Sequence, residues 1–453
     1  MKNKFLKQAY VSIEVIIVAA VILTAGLSGV LAFVKNGKNN NKTMLNAIDD
    51  VYTELEMPLG GGTGGTGNGG SGGTGDIIVP EIPLVGEAYA IYTDADKTLR
   101  FIRSETVPVA GDIYEGLEIT NVYSDIETTY YDSNIEDSGF GDIDDVPWVV
   151  DHKNDIEKIL FVDEIRPIST AYWFAKIKYC SYLDLDKLNT SKVTNMNGMF
   201  YYISNNSAIT TLSINLSNWD VSSVTNMRNM FSNACSYATS WSVGDLTNWD
   251  VSNVTNMSSM FSLAGYRESS SWSVGDLTNW DVSNVTDMGS MFYGAGQNAT
   301  SWSIGDLSNW EVSNVTNMGH MFGSAGYNAT SWTVGYLNNW NVSNVTDMKH
   351  MFIGAGYKSN AFALDLTNWD VSNVTDMSYM FSTAGKESSS WSIGDLSNWD
   401  VSNVTNMNYM FDRAGQSASY TLDLRAWKDK VRSDVTKTRF EYNVTSKIIT
   451  PWE

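Results

Sequence analysis

The core Val-Thr-[Asn/Asp]-Met-x-x-Met-Phe is written eight times. Its Met-Phe pair falls at Met199-Phe200, Met230-Phe231, Met260-Phe261, Met291-Phe292, Met321-Phe322, Met351-Phe352, Met380-Phe381 and Met410-Phe411. The steps between copies are 31, 30, 31, 30, 30, 29 and 30 residues. Self-similarity at a fixed period of this size is the signature of a stacked array. A single unit has nowhere to bury an apolar face, whereas stacked neighbours bury it continuously. Repetition therefore constrains the fold more than the length of 453 residues, which would otherwise suggest two or three domains.

The copy from Trp241 to Tyr266 reads WSVGDLTNWDVSNVTNMSSMFSLAGY. Its SWSVGDL start suggests a short strand with one buried face, formed by Trp241, Val243 and Leu246. Asn248, Asp250, Ser252 and Asn253 then form a turn, because such side chains hydrogen-bond local backbone. Thr255 is placed to cap a short helix over residues 256–264. Within that helix Met257, Met260, Phe261 and Ala264 lie at i, i+3, i+4 and i+7, one apolar stripe. Gly265 ends it, being free to take a positive φ. The expected rung is strand, Asn/Asp turn, short helix and loop. Eight such rungs, about 4.8 Å apart, would extend about 40 Å.

Most of the conspicuous residues have a structural explanation in this geometry. Trp219, Trp249, Trp280, Trp310, Trp340, Trp369 and Trp399 form a packing column. The Asn before each Trp, from Asn218 to Asn398, forms a side-chain ladder. Asn-Val-Thr at Asn253 and its equivalents matches the N-glycosylation pattern. A rung that needs Asn in a turn and Thr at a cap produces that pattern anyway. Of the 19 methionines, 16 are the two of each repeat core, so their abundance is structural. Cys180 and Cys235 lie about two rungs apart, roughly 10 Å by rung spacing and beyond disulfide reach. Free thiols are expected.

The stretch from Ser169 to Leu424 resembles the BspA-type leucine-rich repeat family. The residues that carry the resemblance are LDKLNTSKVTNMNGMF, Leu185 to Phe200, and NWDVSNVTNMSSMF with its copies. STAYWF, Ser169 to Phe174, is similar to the first unit of such arrays, with Trp173-Phe174 in the Met-Phe place. The resemblance implies an extracellular leucine-rich solenoid used for adhesion or display. These units run slightly longer than ordinary leucine-rich repeats. Tyr336 replaces the Asp of Gly-Asp-Leu and Asn341 the Asp after Trp340. Residues 425–453 abandon the pattern and read as a polar C-terminal cap.

Upstream, Met1 to Ala9 is a basic leader with Lys2, Lys4 and Lys7. Val15 to Val34 is a run of 20 residues without a charge, enough to span a bilayer as a helix. A removed signal peptide, an uncleaved anchor and a pilin-like segment all fit it. Ala9-Tyr10-Val11-Ser12-Ile13-Glu14 resembles a type IV prepilin leader. That resemblance implies cleavage after Ala9, a mature N-terminus at Tyr10, and Glu14 paired with a neighbouring subunit's amine. Ala9 and Tyr10 depart from the usual Gly and Phe. The hydrophobic helix and its polar extension cover residues 10–57, and residues 58–75 form a linker. Gly60 to Gly75 holds 11 Gly and no apolar side chain, a flexible tether spanning about 20 Å.

Residues 76–168 form a β-rich acidic module. Over 76–166 it carries 22 Asp/Glu against 6 Lys/Arg, a balance of 6 − 22 = −16. Ala88–Thr93 and Thr98–Arg103 alternate around a polar turn and predict a β-hairpin. Ile156–Val162 predicts another strand. Asp132–Asp145 lacks the spacing and closing Glu of an EF-hand loop, so it reads as a solvated acidic loop.

No nucleophile elbow, P-loop, HExxH or dinucleotide fingerprint occurs, so no catalytic, cofactor or metal residues are expected. A net charge of −22 argues against nucleic-acid partners. The expectation is a non-enzymatic, exported repeat protein that binds a protein or cell-surface ligand. It would be held at the cell surface by an N-terminal transmembrane or pilin-like helix. The alternative is a pilin-like structural subunit, meeting other such subunits, whose array is cargo or tip. The expected contact surface is the loops where copies differ, Tyr266–Ser270, Gly296–Thr300, Gly326–Thr330 and Lys358–Ala361. The expected structural residues of a rung are Trp249, Asn253, Thr255, Met257, Met260 and Phe261.

Overall fold

A computed structural model describes residues 84–129, 146–267, 271–444 and 446–452. The chain divides into Met1–Glu81 and Ile82–Glu453, and all the described residues lie in the second unit. That unit opens with the expected hairpin. β1 (Glu87–Thr93) and β2 (Thr98–Ser104) pair antiparallel, Glu87 against Ser104 and Thr93 against Thr98. β3 (Ile113–Tyr114) and β4 (Leu117–Glu118) make a small ribbon, and β5 (Asn121–Tyr123) pairs with the outer edge of β1. A single turn of helix, α1 (Pro147–His152), buries Trp148 and Val149.

β6 (Lys158–Phe161) then pairs in parallel with β2, and β7 (Tyr182–Asp184) in parallel with β6. The switch from antiparallel to parallel is where the module becomes the first rung of the array. Phe101, Trp148, Phe161, Trp173 and Phe174 pack there at 4.2–6.5 Å between ring centres. Arg103 closes the junction. Its Nε donates to the Glu164 carbonyl at 2.8 Å, one Nη to the Gly86 carbonyl at 2.8 Å, and the other to the Glu127 carboxylate.

The rungs that follow carry short parallel strands: β8 (Thr211–Ser213) with β9 (Ser240–Ser242), β10 (Ser271–Ser273) with β11 (Ser301–Ser303), and β12 (Ala361–Ala363) with β13 (Ser390–Ser392). A second ladder runs the length of the array. Ser169, Asn195, Asn226, Asn256, Asp287, Asn317, Asp347, Asp376, Asn406 and Thr436 each bridge the next in parallel.

The expected helix after this ladder does not form, so the leucine-rich-repeat rung of strand, turn and helix is corrected. Met257, Ser259, Phe261 and Leu263 donate their N–H groups across to Asp287, Gly289, Met291 and Tyr293, at 3.0, 2.8, 2.8 and 2.7 Å. Met260, Ser262 and Ala264 donate instead to the carbonyl three residues back, at 3.2, 3.1 and 3.1 Å. The segment is a ribbon of consecutive turns in which every second N–H crosses to the next rung. Ser259 and Leu263 have φ of 56° and 55°, which no helix accommodates. Each costs about 1 kcal/mol in a residue with a Cβ. The cross-rung bonds, repeated on both sides, offset that cost. The i, i+3, i+4, i+7 stripe did not discriminate, because the turn ribbon also places Met257, Met260, Phe261 and Ala264 on one side, all fully buried.

Aromatic columns fill the interior. Phe200 through Phe411 stack rung on rung at 5.4–5.7 Å. A second column, Trp241, Trp272, Trp302, Trp332, Phe362 and Trp391, stacks at 5.1–6.2 Å. Trp249 and its equivalents stack at 6.2–6.3 Å. From Trp249 to Trp427 each indole N–H of this third column donates to the Leu carbonyl of the preceding rung, whereas Trp219, also expected in the column, is half-buried and stacks on Phe200 at 6.3 Å. Trp249 reaches Leu216 at 2.9 Å and Trp280 reaches Leu246 at 3.0 Å.

The asparagine ladder belongs to Asn-Val-Thr and not to the Asn before Trp. Asn253 donates to the Ser222 carbonyl at 2.8 Å and Asn284 to that of Ser252 at 2.7 Å. Thr255 caps no helix: its Oγ1 donates to the Thr225 carbonyl at 3.1 Å, one step of a threonine ladder. Cys180 and Cys235 are free and buried, and burial pushes the Cys180 thiol up to about 12.

The C-terminal cap is one more rung. Trp427 extends the indole column, Thr436 the bridge ladder, and β15 (Ile448–Ile449) pairs in parallel with β14 (Leu422–Asp423).

The expected location, a cell surface reached through an N-terminal transmembrane or pilin-like helix, is also corrected. Among the described residues no helix is long and apolar enough to cross a membrane. The expected N-terminal hydrophobic helix, with Ala9, Tyr10 and Glu14, lies outside the described residues, as do the linker and the acidic loop 132–145.

Candidate ligand-binding face

Each turn ribbon has two sides. The inward side repeats: Met, Met, Phe and usually Ala, buried in copy after copy. The outward side does not. Between the two methionines stand Asn197-Gly198, Arg228-Asn229, Ser258-Ser259, Gly289-Ser290, Gly319-His320, Lys349-His350, Ser378-Tyr379 and Asn408-Tyr409. The first residue of the pair is buried in five copies, at Asn197, Ser258, Gly289, Gly319 and Ser378, whereas the second is half-buried from Asn229 to Tyr409 and is held in register by the cross-rung bonds as a column.

Part of this column is a continuous stack. His320 lies 4.4 Å from His350, His350 4.7 Å from Tyr379, and Tyr379 4.5 Å from Tyr409, with ring planes within 9° of parallel. Arg439 continues it, its guanidinium 5.3 Å from the Tyr409 ring centre. All four rings are half-buried. Burial, with help from His350 and Lys349, pushes the His320 imidazole down to about 4. His350 is also pushed down, chiefly by burial. Both are neutral near pH 7, which lets two imidazoles stack without repulsion.

A pH dependence follows. The folded pKa of His320 lies below its ordinary 6.5, so between 6.5 and about 4 the unfolded chain binds the extra proton. The stability held by neutral His320 is complete above 6.5 and is lost as pH falls toward 4. A His320→Ser variant is expected to show a smaller drop in unfolding midpoint across that window than the native chain. Equal drops would remove His320 as the cause.

The residues singled out from the sequence fall on other faces. Met257, Met260 and Phe261 are interior, and Trp249 is buried with its N–H used. Asn253 and Thr255 form exposed ladders whose donors are spent on the preceding rung. The loops expected to carry contact are themselves stacked: Asn328 donates to Asn298 at 2.8 Å, and Tyr327 lies 4.2 Å from Tyr357. Residues 268–270 of the first loop lie outside the described residues. The column residues His320, His350, Tyr379 and Tyr409 were missed. Their signal was present as the two unspecified positions between the methionines. Among the described residues no group of three or more His, Cys, Asp or Glu is placed to hold a metal ion.

Stacked rungs with a constant interior and a variable outer column define a repeat scaffold. The chain belongs to the family described as "Mycoplasma protein of unknown function, DUF285", which matches residues 168–274, 239–353, 264–386 and 325–452 in overlapping segments. No curated protein and no solved structure matches the chain.

Proposed function

We propose that the array is a non-catalytic binding scaffold whose outward turn-ribbon face contacts the ligand. One observation carries this reading: inward ribbon positions repeat, while the outward position before the second methionine differs from rung to rung yet is held in register as a column. Ser259 and Ser290 occupy the same column in neighbouring rungs, so serine is compatible with the backbone there.

The test compares the native full chain with a variant carrying His320→Ser, His350→Ser, Tyr379→Ser and Tyr409→Ser. Both are passed over beads bearing purified matrix proteins and purified glycans. The reading expects at least one probe to retain the native chain and lose the variant, with the variant still cooperatively folded. If every probe treats the two chains alike, the ribbon face is not the binding surface.

A further inference from the structure

The ring column leads to two arginines whose guanidiniums are held by tyrosine rings, as that of Arg267 is by Tyr237, and not by hydrogen bonds to carboxylates. Arg100, Arg103, Arg166, Arg425 and Arg432 are hydrogen-bonded to carboxylates. The guanidiniums of Arg413 and Arg439 make no hydrogen bond among the described residues. Each faces one carboxylate, Asp412, at ion-pair range only: Arg413 Nε is 4.0 Å and Arg439 Nη2 3.8 Å from the same Oδ1. Asp412 is 6% exposed, and that oxygen has no hydrogen-bond partner.

Tyrosine rings position the guanidiniums. Arg439 lies 3.9 Å from the Tyr442 ring centre, and Arg413 lies 5.8 Å from it. Stacking uses the flat face of a guanidinium and leaves its N–H edge free, the edge that grips carboxylate, sulfate or phosphate in bidentate fashion. Both side chains are more than a third exposed, at 38% and 39%. The pair sits on a chain of net charge −22, so its positive character is local.

We propose that this end of the ribbon face binds a linear polysaccharide bearing carboxylate or sulfate groups. The Arg413–Arg439 pair would hold the oxyanion, and the column from Tyr409 back to His320 would meet the sugar hydroxyls. The proposal rests on the binding reading above and adds the ligand class. Three features select a glycan. The column rings face one another, so they offer phenol and imidazole edges, not open faces for nucleobases to stack on. Edges of this kind suit hydroxyl groups. The column advances 4.4–4.7 Å per rung, whereas an extended peptide advances about 3.3 Å per residue and would lose register within a few rungs.

The full chain is titrated at low salt with chondroitin sulfate, hyaluronan, uncharged dextran, polyglutamate and a single-stranded oligonucleotide. The proposal expects binding to chondroitin sulfate, hyaluronan or both, and the comparison of those two separates sulfate from carboxylate. Dextran should bind far more weakly. The double variant R413Q/R439Q should bind about a hundredfold more weakly, the loss of two charge-assisted contacts. K428Q/R432Q, which removes the same charge from the cap, should bind as the native chain does, and all three chains should unfold at similar midpoints. Equal losses in both double variants, stronger binding of polyglutamate or the oligonucleotide, or no binding of either charged glycan would overturn it. If the ring-column variant loses a ligand that R413Q/R439Q keeps, this inference fails and the binding face stands.

Discussion

Replacing Phe322 by Ala is expected to cost about 3–5 kcal/mol, the range for truncating a fully buried aromatic side chain. Phe322 has no exposed surface and stacks on both neighbours, 5.7 Å from Phe292 and 5.5 Å from Phe352, with Trp332 edge-on at 6.4 Å. The hole cannot close from either side, because every rung is held in register by cross-rung bonds. Stability in such arrays is a sum of rung and interface contributions. The variant is therefore expected to show a lower urea midpoint and a shallower slope, as the two halves begin to unfold separately. A loss below about 1 kcal/mol would mean that the interior repacks far more freely than a stacked column allows.

The second large effect is expected at Arg103→Met, which keeps the aliphatic stem and removes the charge. The guanidinium bridges the loop after β6, the start of β1 and the segment after β5 through Glu164, Gly86 and Glu127. Glu127 also accepts the Arg166 backbone N–H at 2.5 Å, and Glu164 accepts from Arg166 at 2.7 Å and Asn189 at 2.8 Å. Removing one partner of a part-buried charged network leaves the others underpaired, at about 3 kcal/mol. Loss of this clasp also uncaps the array. Hydrogen exchange should therefore quicken first at β6 and β7 while the middle rungs stay protected. Unchanged exchange at β6 and β7 would show that aromatic packing alone holds the junction.

What the sequence disclosed and what it hid follow from one fact: pattern reports burial more directly than backbone conformation. The stacking period, the hairpin at Ala88–Arg103, the indole column and the Met-Met-Phe interior were all legible, because each is a statement about which side chains face inward. The helix over 256–264 was a wrong inference from a right stripe. A helix keeps its N–H bonds within the chain, and a turn ribbon sends half of them to an identical neighbour. One copy read alone cannot tell these apart. Ser259 and Leu263, neither of them Gly, gave no local sign of a positive φ. The last rung was concealed because Lys437 and Phe440 stand where Met407 and Met410 stand one rung earlier. Val435-Thr436 was the surviving trace. The candidate face was hidden for the opposite reason: it lies at the positions where the pattern says nothing.

The cross-rung ladder carries a genetic implication. The N–H of Met257 meets the Asp287 carbonyl, and that of Met288 meets the Asn317 carbonyl, at 3.0 and 3.1 Å. Each junction is chemically the same joint. A deletion or duplication of one whole period would therefore bring together surfaces that already fit. The chain can change length in single-rung increments without a new interior having to evolve. Such an event would reshuffle which outward residues stand side by side. Recombination between copies would thus alter the displayed column while leaving the scaffold untouched.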